Sequence, residues 1–521
     1  MHLSSGPQQV ADVTSPKSLP TAADDSLDTY QPSLSSSDNV FDNGSDNDDS
    51  SSSISKSSST CSASICTKHT SFRTFNHLQQ DLDILKKAST NAYLVPVVHK
   101  LAHTMKSSLA DNSSATMLPS LISELPSGKE TGTFLSVDVG GSTLRIALIT
   151  LFGRSSGISP KVLSSSTHPI NRDIKALSGV AFFEWIGNHI KDLLMSQNYH
   201  HNHISMGLSW SFPFAQLESV AKGTILKMGK GYLVADEIAS RDLKDMFDEC
   251  FASVGLNISL TAIVNDTVAS LLSHAYMNAS TRAAVILGTG VNSSALITDN
   301  GTSKLINTEM SLMGGDKILP QTEWDVLLDS RVEQPGFQPF ETMVSGRYLG
   351  EVARLVIMEM NLLKKIHLEF DDKSGNDVSL LNVEYGFETA LIAEIEDLAI
   401  YKNAPAQARR VFEKKLKVRV SPEDFEEIYK VIRHVSTRAA SWIGASLVSL
   451  ALNLNQKGDP LNSITTIAYS GTVIEKYPYF KERCQSVLSY LGNIYGVTGL
   501  TLDPALDGTL YGPAIASAMY A

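Results

Sequence analysis

Apolar residues begin to recur at helical spacing just past Phe75. Leu78, Leu82, Leu85 and Ala88 form one stripe; Leu94, Val98, Leu101 and Met105 form a second. Pro96 predicts a new helix start just after Leu94. From Phe134 to Thr150 the period changes. Two short apolar runs flank Gly140-Gly141, which reads as strand, turn, strand. Phe182, Phe183, Ile186, Ile190 and Leu193 supply the apolar face of a helix between about Asp173 and Ser196. Strands are expected at Ile204–Trp210, at Ile263-Val264 and at Ala283–Leu287. Helical patterns cover Tyr348–Met360 and Phe425–Leu452. Strands alternating with helices predict an α/β protein.

Composition changes this picture mainly at the N-terminus. Residues 1–72 are rich in Ser, Asp and Asn and poor in large apolar groups, so they cannot bury enough surface to offset their ordering entropy. They are expected to form a disordered tail. Nine acidic residues against three lysines give that tail a charge of −6, half of the −12 of the 521-residue chain. The remainder is only mildly acidic and, at 42% hydrophobic overall, the chain has an ordinary globular balance. An acidic chain is a poor partner for nucleic acid or an anionic membrane surface. No stretch reads as about 18 uninterrupted apolar residues, and no secretory leader is visible. Four cysteines, Cys61, Cys66, Cys250 and Cys484, are too sparse for a disulfide framework. A reduced, cytoplasmic setting is the expectation. His200, His201 and His203 read as a polar helix-to-strand connection rather than a metal cluster, because adjacent positions point different ways.

Two segments share one pattern at a constant offset of 148 residues: Val137–Ile149 and Val285–Ile297. Each is an apolar strand, a turn rich in glycine and hydroxyls, and a second apolar strand. Gly140, Gly141, Ser142 and Thr143 form the first turn; Gly288, Thr289 and Gly290 form the second. Such turns bring bare N–H groups close to an anion. A facing pair would clamp a polyphosphate between two related domains. Either hairpin alone is also an ordinary structural turn. A dinucleotide fingerprint does not fit, since Ser293 stands where its third glycine belongs and a strand follows instead of a helix.

Beyond the hairpins, ordered motifs appear: Pro126–Gly132, Trp210-Ser211-Phe212-Pro213, Lys230-Gly231-Tyr232, Val264-Asn265-Asp266-Thr267, Asn307-Thr308-Glu309, Pro335–Glu341, Ser345–Glu351, Ser470-Gly471-Thr472-Val473 and Asp507-Gly508-Thr509. In this order and spacing the chain resembles the eukaryotic hexokinases from about Phe75 to Ala521. The resemblance implies an actin-like ATPase (ribonuclease H-like) fold with two domains flanking a cleft. It places N-terminal helices at 73–125 with the large domain, a small domain at 126–265 and a large domain at 266–505. A C-terminal helix at 506–521 would return to the small domain. It also implies roles. Asp266 would be the base that takes the proton of the sugar 6-hydroxyl. Asn265, Asn292, Glu309, Gln338 and Glu341 would bind the sugar, with Ser211 and Lys230 lining the site. Asp138 would hold the magnesium of MgATP through water. The two turns, with Arg145 and with Gly471, Thr472 and Val473, would bind ATP. Asp266 alone also reads as an N-cap for a helix starting at Thr267.

Three departures bear on the sugar. Glucose enzymes of this family typically carry Thr, Gln and an aromatic where this chain has Gly229, Phe337 and Met310. Fewer polar groups and more apolar wall would admit an acetamido group, and the loss of hydroxyl partners relaxes selectivity for glucose. These features resemble the fungal N-acetylglucosamine kinases. The expectation is therefore ATP-dependent 6-phosphorylation of N-acetylglucosamine, in amino-sugar catabolism. A broad-specificity hexokinase and a weakly catalytic hexokinase-like regulator remain as alternatives.

Overall fold

The computed structural model describes residues 74–111, 113–212, 214–216, 218–226, 238, 240–299, 302–315, 318–370, 378–454, 466–505 and 507–521. The chain divides into Met1–Ser62 and Ala63–Ala521, and the architecture below is that of the second unit. The expected tail, Cys61, Cys66, Pro213 and the segment Gly229-Lys230-Gly231-Tyr232 all lie outside the described residues.

Two helices open the unit, α1 (Phe75–Lys87) and α2 (Asn91–Ala110). Their stripes are those read in the sequence: Leu78, Leu85, Leu94, Val98, Leu101 and Met105 are all buried. The break between them falls earlier than Pro96 predicts. The helix restarts at Asn91, after Thr90, and carries Pro96 inside. Tertiary packing of Leu94, Val97 and Val98 in the core holds the turn before the proline in place, overriding the local cost of its missing N–H.

A five-stranded sheet follows, built from β1 (Thr131–Val139), β2 (Thr143–Phe152), β3 (Lys161–Pro169), β4 (Ile204–Trp210) and β5 (Ile258–Val264). Its order is β3-β2-β1-β4-β5. The first three strands are antiparallel neighbours, while β4 and β5 join parallel to β1. The central strand β1 is buried continuously from Phe134 to Val139, as a strand covered on both faces must be. Helices α3 (Gly179–Ser196) and α4 (Leu243–Val254) cover one face with Phe182, Phe183, Ile186, Phe247 and Phe251. Ser178 and Asp242 cap their N-termini with side-chain oxygens.

Helix α5 (Asp266–Met277) leads into a second sheet. Its strands are β6 (Thr281–Leu287), β7 (Val291–Asp299), β8 (Thr302–Asn307), β9 (Thr466–Ser470) and β10 (Thr501–Pro504). The order β8-β7-β6-β9-β10 reproduces that of the first sheet strand for strand, with the two-residue strand Leu118–Pro119 added at the edge. The parallel and antiparallel relations repeat as well. The chain thus contains one topology twice, and this is the two-lobed actin-like ATPase fold.

The larger lobe adds α6 (Pro339–Val344), α7 (Leu349–Leu362), the 33-residue α8 (Pro422–Leu454) and α9 (Phe480–Tyr495). By length and composition α8 is apolar enough to cross a membrane, contrary to the reading from uninterrupted apolar runs. It is the core helix of this lobe, buried among α2, α7 and α9. Within it, fully buried Arg438 makes two hydrogen bonds, of 2.7 and 2.8 Å, to the Asp325 carboxylate. A bidentate geometry of this kind is what makes a buried pair tolerable. The last helix, α10 (Gly508–Tyr520), packs on α5 and on β1, β4 and β5. Glycine makes that packing possible. A Cβ on Gly207 would sit 1.8 Å from the Pro513 carbonyl oxygen, and one on Gly512 would sit 2.1 Å from the Ala269 carbonyl oxygen. Helices α5 and α10 share a cluster with Phe134, Ile149, Ala284 and Ala468, so they lie between the two sheets.

Candidate active site

The first hairpin ends in a charged pair. Asp138, next to last in β1, faces Arg145 in β2 across the antiparallel ladder and Ser209 of β4 across the parallel one. Asp138 is buried, and its Oδ1 completes no hydrogen bond; neither does the Ser209 hydroxyl. Burial pushes the Asp138 carboxyl up to about 6. The approach of the Ser209 and Thr509 hydroxyls lowers it, the nearby Asp266 charge raises it, and Arg145 lowers it. Arg145 is itself held from the C-terminal motif. Its Nη2 lies 3.1 Å from Asp507 Oδ1, and its Nη1 donates to Thr509 Oγ1 at 3.4 Å. Asp507 adopts a left-handed conformation, φ 46°, immediately before α10. The turn closes with Gly140 N–H donating to Thr143 O at 3.0 Å, and Ile170 N–H donates to Ser142 O at 2.8 Å. Ser211 continues the β4 ladder by donating its N–H to Val139 O at 3.2 Å, so Ser211 stands beside this turn.

The second hairpin is neutral and more tightly enclosed. Gly346 N–H donates to Gly288 O at 2.8 Å and Arg347 N–H to Thr289 O at 3.2 Å. Gly471, φ 111°, lies against the end of β6, where a Cβ would fall 2.4 Å from Leu287 O. Since β6 and β9 run parallel, the Gly288 turn and Gly471-Thr472 meet at one sheet edge. Val473 is buried, so it packs the motif rather than facing a ligand. At Gly290 the close neighbour is a carboxylate. A Cβ there would lie 2.5 Å from Glu341 Oε2, which accepts from Val291 N–H at 3.0 Å. Gly290 therefore makes room for Glu341.

The constant offset of 148 fails in the second strand of each hairpin. Val139 pairs with Leu144 across four turn residues, but Leu287 pairs with Val291 across three. The structural counterpart of Arg145 is thus Asn292, and that of Asp138 is Ile286. A one-residue slip exchanges the faces of a strand.

A relay of amides and carboxylates connects the remaining residues. Asn292 Nδ2 donates to Asn307 Oδ1 at 2.9 Å, and Asn307 Nδ2 donates to Glu309 Oε1 at 2.8 Å. Glu309 sits in a left-handed conformation, φ 46°, at the end of β8. The expected cap is displaced by one residue. Asn265 is the N-cap of α5 and accepts from Thr267 N–H at 3.0 Å; Asp266 is the first helical residue, and its Oδ1 accepts from the same N–H at 2.8 Å. Asp266 is half-buried. Ser294 Oγ donates to Thr267 O at 2.8 Å, which ties the start of α5 to β7.

The structure thus gathers Asp138, Arg145, Ser211 and Asp266 at the first sheet, and Asn292, Glu309 and Glu341 at the second. Gln338 precedes α6 and makes no capping bond with its side chain. Asn307, Ser209 and Thr509 take part in the site without having been assigned roles from sequence. Asn307 belongs to a motif quoted for its glutamate. Thr509 belongs to the quoted motif Asp507-Gly508-Thr509, and its place beside Arg145 emerges only with the path of α10; Ser209 is found only once strand register is known. Of the three sugar departures, Gly229 lies outside the described residues, and Met310 is 1% exposed in the large-lobe core and cannot face a ligand. Phe337 is 45% exposed on the segment that leads into α6 and Glu341.

Comparison with known proteins gives one answer for the family. A hexokinase family model matches residues 83–276 and a second matches residues 282–519. The two meet where α5 passes into β6. Hexokinase-3 of Oryza sativa is 28% identical over 83% of this chain and 88% of its own length. N-acetylglucosamine kinase 1 of Candida albicans is 28% identical over 80% of this chain and 88% of its own. Among solved structures, a hexokinase from Schistosoma mansoni complexed with glucose superposes with a TM-score of 0.70 at 25% identity, covering 86% of this chain and all of that one.

Proposed function

We propose that this chain, which belongs to the hexokinase family and is therefore a sugar kinase, transfers the terminal phosphoryl group of ATP to the 6-hydroxyl of N-acetylglucosamine. The observation that carries the reaction is the position of Asp266. It heads a helix lying between the two sheets, half-buried, with the buried carboxyl of Asp138 as an electrostatic neighbour. In that position Asp266 accepts the proton of the 6-hydroxyl as its oxygen forms the new bond to phosphorus and ADP departs. Asn265, Asn292, Glu309 and Glu341 orient the ring hydroxyls, and the Asn292–Asn307–Glu309 relay fixes two of them before the sugar arrives.

The chemistry of Asp138 fits a hydrated magnesium ion. An acidic oxygen that is buried and lacks a hydrogen bond, next to a second carboxylate, is a costly arrangement without a cation. Bound magnesium supplies charge neutralisation to the phosphates. Arg145, released from Asp507, would add charge at the same edge. The glycine turns bring backbone N–H groups to the phosphates.

For the sugar, the supporting feature is Phe337, an exposed ring on the segment that carries Glu341. It offers an apolar surface to an acetamido methyl. The burial of Met310 removes one of the three departures and favours the broad-specificity hexokinase as the second reading. Steady-state kinetics with both sugars separates them. N-acetylglucosamine should show the higher kcat/KM, and a clear preference for glucose overturns the assignment. No ADP release with any hexose or hexosamine favours the regulator.

A further inference from the structure

The lead-in motif Pro126–Gly132 has no part in the site above, yet it is held by a dense set of hydrogen bonds. Glu130 folds back on it: Oε1 accepts from Ser127 N–H and Oγ at 2.8 and 2.7 Å, and Oε2 accepts from Gly128 N–H at 2.9 Å. Gly128, φ 79°, wraps a single side chain. A Cβ there would lie 2.7 Å from Arg154 Cζ, and Gly128 O accepts from Arg154 N–H at 2.6 Å. Arg154 lies just past the far end of β2 and reaches the C-terminus of α5. Its Nη2 donates to Ala275 O at 2.7 Å and its Nε to Tyr276 O at 2.8 Å. Those are two of the carbonyls a helix leaves without partners, at the end where its dipole favours a cation. Tyr276 returns the contact, its hydroxyl accepting from Gly153 N–H at 2.7 Å and donating to Glu130 O at 2.8 Å. The clamp thus joins one end of α5 to the hairpin β1–β2. The other end of α5 carries Asp266, and the other end of the hairpin carries Asp138 and Arg145.

We propose that Arg154 is a positioning residue: by binding the C-terminus of α5 to the β1–β2 hairpin, it makes the base and the phosphate-side pair move as one body when the lobes move. Asp266 and Ala275 are nine residues apart, about 14 Å along the helix, so Arg154 acts on the reaction only through α5. The opposing attachments of α5 are to the second sheet. Ser294 Oγ bonds Thr267 O, and His274 Nδ1 lies 2.7 Å from Thr281 Oγ1. The start of α5 is also held to the first sheet by its junction with β5 and by α10; without the clamp its C-terminal end is left to the second sheet, and the distance from Asp266 to the hairpin is less tightly fixed. Small misplacements of reacting groups lower turnover strongly.

The inference rests on Asp266 as the base, and it is tested on the purified full chain with ATP and its preferred sugar. Arg154→Ala should lower kcat about tenfold while the sugar KM stays within about twofold. Arg154→Lys should recover part of that loss, since an ammonium reaches one of the two carbonyls. Tyr276→Phe keeps the ring and should give a smaller loss of the same kind, and the double variant should fall no lower than Arg154→Ala alone. Parent kcat in Arg154→Ala overturns the proposal. So does a loss that merely tracks the folded fraction, with the remaining molecules turning over at the parent rate. Turnover that survives in Asp266→Ala removes the base assignment itself. An inactive Asp266→Ala beside a fully active Arg154→Ala removes only the positioning role.

Discussion

The two hairpins are one scaffold used for two kinds of chemistry. In β1–β2 the facing pair near the turn is Asp138 and Arg145; at the same ladder positions in β6–β7 it is Ile286 and Asn292. The first turn has four residues and is edged by charge. The second has three, and Gly346, Gly471 and Glu341 close in around it. A duplicated fold needs only its hydrophobic interior and its strand order to repeat. Positions at the cleft edge are released from that requirement, and here one copy keeps ions and the other keeps hydrogen-bond geometry. In the proposed reaction both turns face the phosphates, the charged hairpin adds the metal site, and the neutral one adds sugar contacts through Asn292 and the neighbouring Glu341.

Replacing the group that both hairpins serve should cost most. Asp266→Ala should lower kcat by about 10³-fold, within the range for a positioned base, with sugar binding still detectable by calorimetry. Near-normal turnover would dissolve the comparison, because neither hairpin would then have a reacting centre to serve. Next in size is Asp138→Ala. It should lower kcat/KM for ATP by about 10²-fold and leave the sugar Kd within about twofold. An equal loss of sugar affinity would show that the first hairpin is not specialised. The corresponding change in the second copy is Gly290→Ala. The added Cβ would displace Glu341, a flexible side chain, so the fold should persist while the sugar KM rises about tenfold. A rise in the KM for ATP with the sugar KM unchanged would show that this turn serves the phosphates alone.

The duplication was legible in the sequence, and the difference between the copies was not. Apolar runs broken by Gly140-Gly141 and by Gly288-Thr289-Gly290 are local signals, and they mark both hairpins. The missing turn residue in the second copy leaves no such signal. Strand β6 is apolar at every position from Ala283 to Leu287, the half-buried Ile286 included, so no alternation of apolar and polar residues fixes its register. The gapless offset set Leu144 opposite Asn292, when the structure aligns Arg145 with it. The motif order brought Asp266, Glu309 and Glu341 into view. What brings Thr509 to Arg145, or Arg154 to α5, is the path of a distant segment across the lobe boundary, and no local pattern encodes that. Pro96 failed for the opposite reason: its local preference is real, and core packing of Leu94 outweighs it.

The smallest effect is thermodynamic and is confined to the charged copy. Burial raises the Asp138 carboxyl from 3.8 to about 6, so the folded state binds this proton more tightly than the unfolded chain does. Between those two values stability falls as pH rises, and above about 6 the full cost of the buried charge is present. About two units correspond to about 3 kcal/mol as an upper bound. Asp138→Asn removes that cost without changing size. It should therefore raise the melting temperature at pH 8, and the gain should shrink as pH is lowered through 6 towards 4. Activity must run the other way. The parent enzyme should lose kcat/KM for ATP as pH falls below about 6, where Asp138 takes up its proton, while its stability improves relative to the variant. Ile286→Val, at the equivalent position of the neutral hairpin and with Asp138 intact, should differ from the parent in melting temperature and in kcat/KM for ATP by amounts that do not change with pH. A melting-temperature difference between parent and Asp138→Asn that is flat from pH 4 to 8 would mean that Asp138 titrates as an ordinary surface carboxylate, and the electrostatic contrast between the two hairpins would be lost.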